Sequence, residues 1–196
     1  RLLHAVAENP RLCKHIHLPL QAGNTRILDK MNRTYSKEEY LALVDDIRAH
    51  FPAMVITTDV IVGFPTESDQ EFEDTFQVME RVRFDAAFIF KYSERKGTIA
   101  ARRHPDDIPE EVKKERIIRL NNLQNEISLQ KNREHINQIH EVLVEQETTR
   151  KSPEDYQGRN DGNKIVIFPK GKVRKGDFVR VRITDATAHV LKGVLQ

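Results

Sequence analysis

The sequence predicts an α/β chain in which three successive β-α units form a parallel sheet and a small antiparallel β-barrel follows. Short apolar, β-branched runs alternate with helix-start signatures up to about residue 133, and near His140 the pattern changes to brief β-rich runs punctuated by glycine. The length of 196 residues agrees with this, since roughly 100 to 200 residues per domain leaves room for one full domain or two small ones.

Residues 16–20 are a short apolar run closed by Gln21-Ala22-Gly23, after which Asn24 is placed to cap a short helix carrying Ile27, Leu28 and Met31. Ser36-Lys37-Glu38-Glu39 has the Ser-x-x-Glu form, in which hydroxyl and carboxylate reciprocally satisfy free amides at a helix start. Behind it Tyr40, Leu43, Val44, Ile47 and Phe51 keep the three-and-four spacing of one buried face, and Pro52 ends the pattern. Residues 55–63 are almost continuously apolar, the composition of a parallel strand covered on both faces. Gly63-Phe64-Pro65-Thr66 stops that strand, and a second capping box, Ser68-Asp69-Gln70-Glu71, opens a helix whose Phe72, Phe76 and Met79 share a face. Residues 86–92 form a third apolar strand. After the loop 93–107, Pro109-Glu110-Glu111 begins a long charged helix to about Arg133, with proline in its first turn and acids at the positive end of its dipole. Ile117, Leu120, Leu123 and Ile127 give that helix a narrow apolar stripe. Beyond it, the β-rich runs 141–145, 164–168, 178–183 and 189–195 are separated by Gly162, Gly171 and Gly176, the grammar of a small barrel. The expected domains are therefore residues 1–137 and 138–196.

Composition narrows the class of function. With 38% hydrophobic and 32% charged residues the chain is too apolar for intrinsic disorder and too polar for a membrane protein, so a soluble protein with no membrane partner is expected. Thirty-two Lys and Arg against 30 Asp and Glu give no general polyanion signal, so charge has to be read locally. Cys13 is the one cysteine, which excludes an internal disulfide, a Cys-rich zinc site and a self-contained iron-sulfur cluster, and it fits a reducing cytoplasm. Arg1-Leu2-Leu3-His4-Ala5 has neither an initiator Met nor a signal-peptide pattern, so the chain is expected to begin inside a longer protein.

Ligands of parallel sheets bind where strand-to-helix loops converge. Here those positions are Gln21, Gly23 and Asn24; then Gly63, Phe64, Thr66 and Glu67; then Lys91, Tyr92, Ser93, Glu94 and Arg95. Gly63 either admits a ligand close to the backbone or simply relieves a tight turn. Asp59, inside an apolar strand with Ile61 and Gly63 on its face, is either a functional carboxylate or one satisfied by neighbouring backbone. His15 and His17 share a strand face like a metal pair, but hydrogen-bonded interior histidines are the better reading. Cys13 reads as an unreactive packing residue. In the second domain, residues 159–182 hold Arg159, Lys164, Lys170, Lys172, Arg174, Lys175, Arg180 and Arg182 against Asp161 and Asp177, a local excess of about +6. That excess suits RNA phosphates, with Tyr156 and Phe168 as stacking surfaces, and is otherwise a solvated basic face. Arg95, Lys96, Arg102 and Arg103 add basic character to the first domain.

The blocks His15-Ile16-His17-Leu18-Pro19-Leu20-Gln21-Ala22-Gly23, Met31-Asn32-Arg33-Thr34-Tyr35, Thr58-Asp59-Val60-Ile61-Val62-Gly63-Phe64-Pro65-Thr66-Glu67 and Phe90-Lys91-Tyr92-Ser93-Glu94-Arg95 resemble the radical S-adenosylmethionine methylthiotransferases. The resemblance is nearer to the tRNA-modifying branch than to the ribosomal-protein-modifying one. The tail resembles the TRAM domain, an RNA-binding barrel. Two departures are small: Ala22 stands where the family often has Ser, and Lys96 where it often has Pro before Gly97. The larger one is cysteine, because the family holds two 4Fe-4S clusters on two sets of three cysteines that this chain lacks.

The resemblance therefore implies the carboxyl-terminal half of a radical SAM β/α barrel plus TRAM, with cluster ligands outside this chain and no independent catalysis. It implies S-adenosylmethionine as cofactor, reductively cleaved to a 5'-deoxyadenosyl radical, and an electron donor for the cluster. It further implies as partner a tRNA anticodon stem-loop carrying isopentenyladenosine, which gains a 2-methylthio group. By position in the matching motifs, Gln21, Asp59, Ile61, Gly63 and Tyr92 are the cofactor-binding candidates. Arg33, Tyr35, Arg95, Lys172, Arg174 and Lys175 are the RNA-binding candidates, and no catalytic residue or metal ligand is expected here. Two alternatives stay open: a non-enzymatic RNA-binding module, and a methylthiotransferase acting on a ribosomal protein.

Overall fold

In a computed structural model of the chain, residues 6, 9, 11–95, 97–149 and 152–196 are described. Residues 1–5 and Lys96, singled out above, lie outside them. The chain divides into two compact units, one made of His17–Pro52 with Ile56–Gln124, the other built on Asn125–Gln196 and also taking in Ala53–Val55 and the described residues up to Ile16.

Strand β1, His15–His17, is shorter than its apolar run. Leu18 N–H still donates to Thr57 O at 2.8 Å, but Pro19 has no N–H to give and regular pairing lapses. Gln21 then adopts a left-handed backbone, φ 65°, and forms an isolated parallel bridge with Val60. Helix α1, Thr25–Lys30, starts on Asn24, whose side chain accepts from Arg26 and Ile27 N–H. Helix α2, Lys37–His50, and helix α3, Asp69–Val82, both begin with the reciprocal capping boxes read from sequence, Ser36/Glu39 and Ser68/Glu71. On α2, Leu41 is buried while Leu43 is exposed, which reverses the expected place of Leu43 on the inner face.

Strands β2, Val55–Val62, and β3, Ala86–Lys91, pair in parallel with Asp59 opposite Phe88 and Ile61 opposite Phe90, and the sheet order is β1-β2-β3. Ile56, Thr58, Val60 and Val62 are buried, whereas Thr57, Asp59 and Ile61 are only half-buried and Phe88 and Phe90 are 58% and 53% exposed. The expectation of cover on both faces is thus corrected: one face is packed and the other is open. A β/α barrel puts its helices on the outer face and fills the inner one from the other strands of the ring, so part of a barrel leaves that inner face bare.

A short helix α4, Ile99–Arg103, interrupts the expected loop, capped by Thr98. Helix α5, Glu110–Arg133, departs further from expectation. Its buried line is Lys113, Arg116, Leu120, Gln124, Ile127, Ser128 and Asn132, at helical spacing but mostly polar, while Ile118 is exposed. These polar groups are paired: Gln124 Nε2 donates to Phe84 O at 2.8 Å, and Asn132 Nδ2 to Thr187 O at 2.8 Å.

The second unit contains a closed barrel of β4 (Ile139–Gln146), β5 (Asp155–Asn160), β6 (Ile165–Pro169), β7 (Phe178–Ala186) and β8 (Leu191–Leu195), in the order β4-β5-β6-β8-β7. The pair β6–β8 is parallel and the others antiparallel, so the barrel is mixed rather than wholly antiparallel as expected. Strand β5 is polar and escapes a hydrophobicity reading, yet Tyr156, Gly158 and Asn160 alternate inward. A Cβ at Gly158 would collide with the Leu143 carbonyl oxygen of β4, so only glycine lets the two strands close. Val142, Val144, Val166, Phe168, Val181, Ile183 and Leu191 fill the interior, each contributing about 1.5–3 kcal/mol on burial for side chains of this size.

Candidate functional site

At the carboxyl end of β2 the backbone turns at Gly63, φ 67°, whose N–H donates to Glu67 Oε2 at 2.7 Å. Arg116 NH1 donates to the same oxygen at 2.7 Å and NH2 to Asp69 Oδ1 at 2.7 Å. Glu67 and Arg116 are both buried, and desolvation pushes the Glu67 carboxyl above the usual carboxylate range, opposed by the Gly63 N–H and by Arg116. Lys113, 2% exposed, lies one helical turn before Arg116 and donates to both Asp106 oxygens, at 2.6 and 2.5 Å. Its aliphatic stem occupies the space that a Cβ at Gly63 would need. The space on the Cα side of Gly63 is therefore filled by the chain itself.

Tyr92, at the end of β3, packs edge-on against Phe64 at 5.1 Å, with Lys113 Nζ 5.6 Å from its ring centroid. Burial raises its phenol pKa, and Glu94 and Asp106 add to the effect. Its hydroxyl and Glu67 Oε1 are buried without a hydrogen-bond partner among the described residues. A buried orphan costs about 1–3 kcal/mol, a deficit that a hydrogen-bonding ligand group at this end of the sheet would remove. Ile61 packs against the cluster of Ala22, Ile27, Leu28, Phe64 and Tyr92, which draws four of the five cofactor candidates, Gln21, Ile61, Gly63 and Tyr92, to one end of the sheet.

Asp59 lies farther down the open face. Its Oδ2 is 3.3 Å from His17 Nε2, and His17 Nδ1 is 3.0 Å from Thr57 Oγ1. The partner of Asp59 is a side chain rather than the neighbouring backbone, and His17 is on the open face rather than interior. Cys13 is exposed, which corrects its reading as a packing residue.

Nearby, Arg26 grips Glu71 through Nε and NH2 and reaches Thr66 O at 2.7 Å, tying α1 to the turn after β2. The Arg26 hydrogen bond holds the Glu71 carboxyl well down, at about 2. Lys113, Arg116 and the Arg26–Glu71 pair were missed in the sequence reading. The signal available for α5 was spacing: Lys113 and Arg116 continue the Leu120–Gln124–Ile127 line toward the helix start.

Of the RNA candidates in the first unit, Arg33 and Arg95 are exposed, while Tyr35 spends its hydroxyl on Pro19 O and Leu20 O at 3.1 and 3.2 Å. Lys172, Arg174 and Lys175 are exposed in the turn before β7, where Asp177 Oδ2 accepts from Arg174 N–H at 2.8 Å. Tyr156 and Phe168 are buried in the barrel core, 5.9 Å apart, and cannot stack on RNA bases; that expectation is corrected. Among the described residues no helix is long and apolar enough to cross a membrane.

Residues 1–79 match the Radical SAM superfamily and residues 133–195 the TRAM domain. Proteins named tRNA-2-methylthio-N(6)-dimethylallyladenosine synthase align along the chain: that of Flavobacterium johnsoniae is 45% identical over 98% of this chain and 40% of its own length. Those of Pelotomaculum thermopropionicum and Syntrophomonas wolfei are 48% and 49% identical over 100% and 98% of the chain, each along 43% of its own length. The chain thus spans about two fifths of these relatives. Among solved structures, coproporphyrinogen III oxidase from Escherichia coli, a radical SAM enzyme, superposes with a TM-score of 0.52 at 15% identity, over 82% of this chain and 43% of that one, a likeness of fold.

Proposed function

We propose that this chain, whose residues 1–79 match the Radical SAM superfamily and residues 133–195 the TRAM domain, is the carboxyl-terminal part of a tRNA methylthiotransferase. The whole enzyme adds a 2-methylthio group to N6-isopentenyladenosine next to the anticodon, and this chain alone is not catalytic. The observation that carries the reading is the alignment with the synthases along essentially the full chain. Residues 1–137 serve as the second half of the barrel and residues 138–196 as the RNA-binding module.

S-adenosylmethionine joins a flat purine to a cationic sulfonium and an amino-acid end, and the strand ends offer matching surface. When bound, it supplies the methyl group and the family's radical chemistry. Ile61, packed on the apolar cluster at the strand ends, would offer the purine an apolar surface and exclude water. The buried Tyr92 hydroxyl, orphaned among the described residues, gains a hydrogen-bond partner. Asp59, whose Oδ2 lies 3.3 Å from His17 Nε2 on the open face, would hold the cationic end. Gly63 and Gln21 set the backbone course of the cleft wall through their left-handed conformations. The 4Fe-4S clusters need three or four thiolates each, which Cys13 alone does not fit; their ligands are assigned outside this chain, as is the contact with an electron donor.

The test is nucleoside mass spectrometry of tRNA from cells in which the gene encoding this chain is deleted. Loss of 2-methylthio-N6-isopentenyladenosine with accumulation of N6-isopentenyladenosine is expected; an unchanged nucleoside profile would overturn the assignment.

A further inference from the structure

The outer face of β7 carries Phe178, Arg180 and Arg182 at alternate positions, about 7 Å apart per step, all exposed. Phe178 is 67% exposed, the most exposed large hydrophobic side chain described. Strand pairing sets Ile139 and Val194, themselves exposed, on either side of Arg182, and Glu141 opposite Arg180. Phe178 directly follows the turn that bears Lys172, Arg174 and Lys175. One face of the barrel thus presents a bare aromatic ring with five cations alongside it. Two acids lie near them, Glu141 and Asp177, and Asp177 is engaged in its turn by Arg174 N–H.

We infer that this β7 face binds unpaired RNA nucleotides, with the Phe178 ring stacking on a base and Arg180 and the turn cations contacting the flanking phosphates. The inference rests on the RNA reading of the TRAM domain and deepens it by naming the surface and the form of RNA. Exposing an aromatic ring to water is unfavourable unless a partner covers it, and bases offer a flat π-face whatever their identity. The cations supply the long-range attraction, while the ring discriminates: bases in a duplex are already stacked, and those of a loop are free. Tyr156 and Phe168 are committed to the barrel core, so stacking falls to Phe178.

The experiment measures fluorescence anisotropy of a labelled RNA hairpin with an unpaired loop, and of a fully paired duplex, against the whole 196-residue chain. Phe178→Ala and Phe178→Leu are each expected to weaken hairpin binding roughly tenfold, with little change for the duplex, because leucine keeps apolar bulk without a π-face. Phe178→Trp should retain affinity and, as the chain's one tryptophan, lose fluorescence on binding. Arg180→Gln should reduce the salt slope by about one unit. Equal hairpin affinity in the Ala, Leu and parent chains, with salt dependence intact, overturns this surface and leaves the RNA reading standing. Equal loss for hairpin and duplex overturns the stacking role. Failure of the unaltered chain to bind either RNA at low salt sinks the RNA reading itself.

Discussion

The two β systems of this chain handle strand edges in opposite ways. The barrel joins all five of its strands into a ring, and its core is aliphatic apart from Tyr156 and Phe168. The β1-β2-β3 sheet has two edge strands and one open face, and near its strand ends the chain relies on buried charge, Glu67 with Arg116 and Asp106 with Lys113. Closure by hydrogen bonds encloses a core of uncharged side chains. A partly covered sheet that keeps a polar end for chemistry depends on ion pairs, whose loss is costly when one partner stays behind.

The sharpest way to break this contrast is Arg116→Met. It leaves Glu67 buried without its cation and is expected to cost about 3–5 kcal/mol in the α/β unit, while amide hydrogen exchange of the barrel strands is unchanged. Adding Glu67→Leu should recover most of the loss. The reciprocal perturbation is Gly158→Ala, which drives a methyl group into the β4 carbonyl and should cost up to about 3 kcal/mol in barrel protection, with the sheet unaffected. Exchange that rises equally in both units after either change would refute the contrast.

Titration sharpens the comparison further. Glu71 sits at about 2 in the folded chain against an ordinary 4.5, so its contribution is fully present above 4.5 and is lost as pH falls toward 2. Denaturant unfolding across that window should lose about 2 kcal/mol for the sheet unit in the parent chain, and Glu71→Gln should flatten this acid limb. The smallest effect is expected from Tyr92→Phe. Removing an orphaned hydroxyl should stabilise the fold by about 1 kcal/mol while weakening S-adenosylmethionine binding by equilibrium dialysis; a stability loss would mean that the hydroxyl has a structural partner.

Local grammar was the legible part. Both capping boxes, the β-α order and the ends of the long helix rest on interactions within a few residues, and they stand where the spacing placed them. What escaped depends on distant partners. Polar β5 is a strand because two neighbours pair with it, and the inner line of α5 is polar because Glu67, Asp106 and the Phe84 carbonyl await it. The candidate site was legible as positions in motifs, and Gln21, Ile61, Gly63 and Tyr92 do come together at one end of the sheet. That Lys113 would take the space beside Gly63 was not, since no periodicity tells which lysine reaches across a fold. The aromatic surface was misplaced for a related reason: composition reports that Tyr156, Phe168 and Phe178 exist, and only strand register separates the two that face inward from the one that faces out.

The strand order of the barrel also sets a timetable for biosynthesis. Strand β8 is the last of the five to be made, yet it lies between β6 and β7. Until the ribosome has released it, whichever residues follow, β6 and β7 each present a raw edge and Leu191's place in the core stands empty. The sheet unit can collapse as it emerges, whereas the barrel must wait. In that interval the unpaired edges of β6 and β7 are open to mispairing, a hazard that closure by β8 removes.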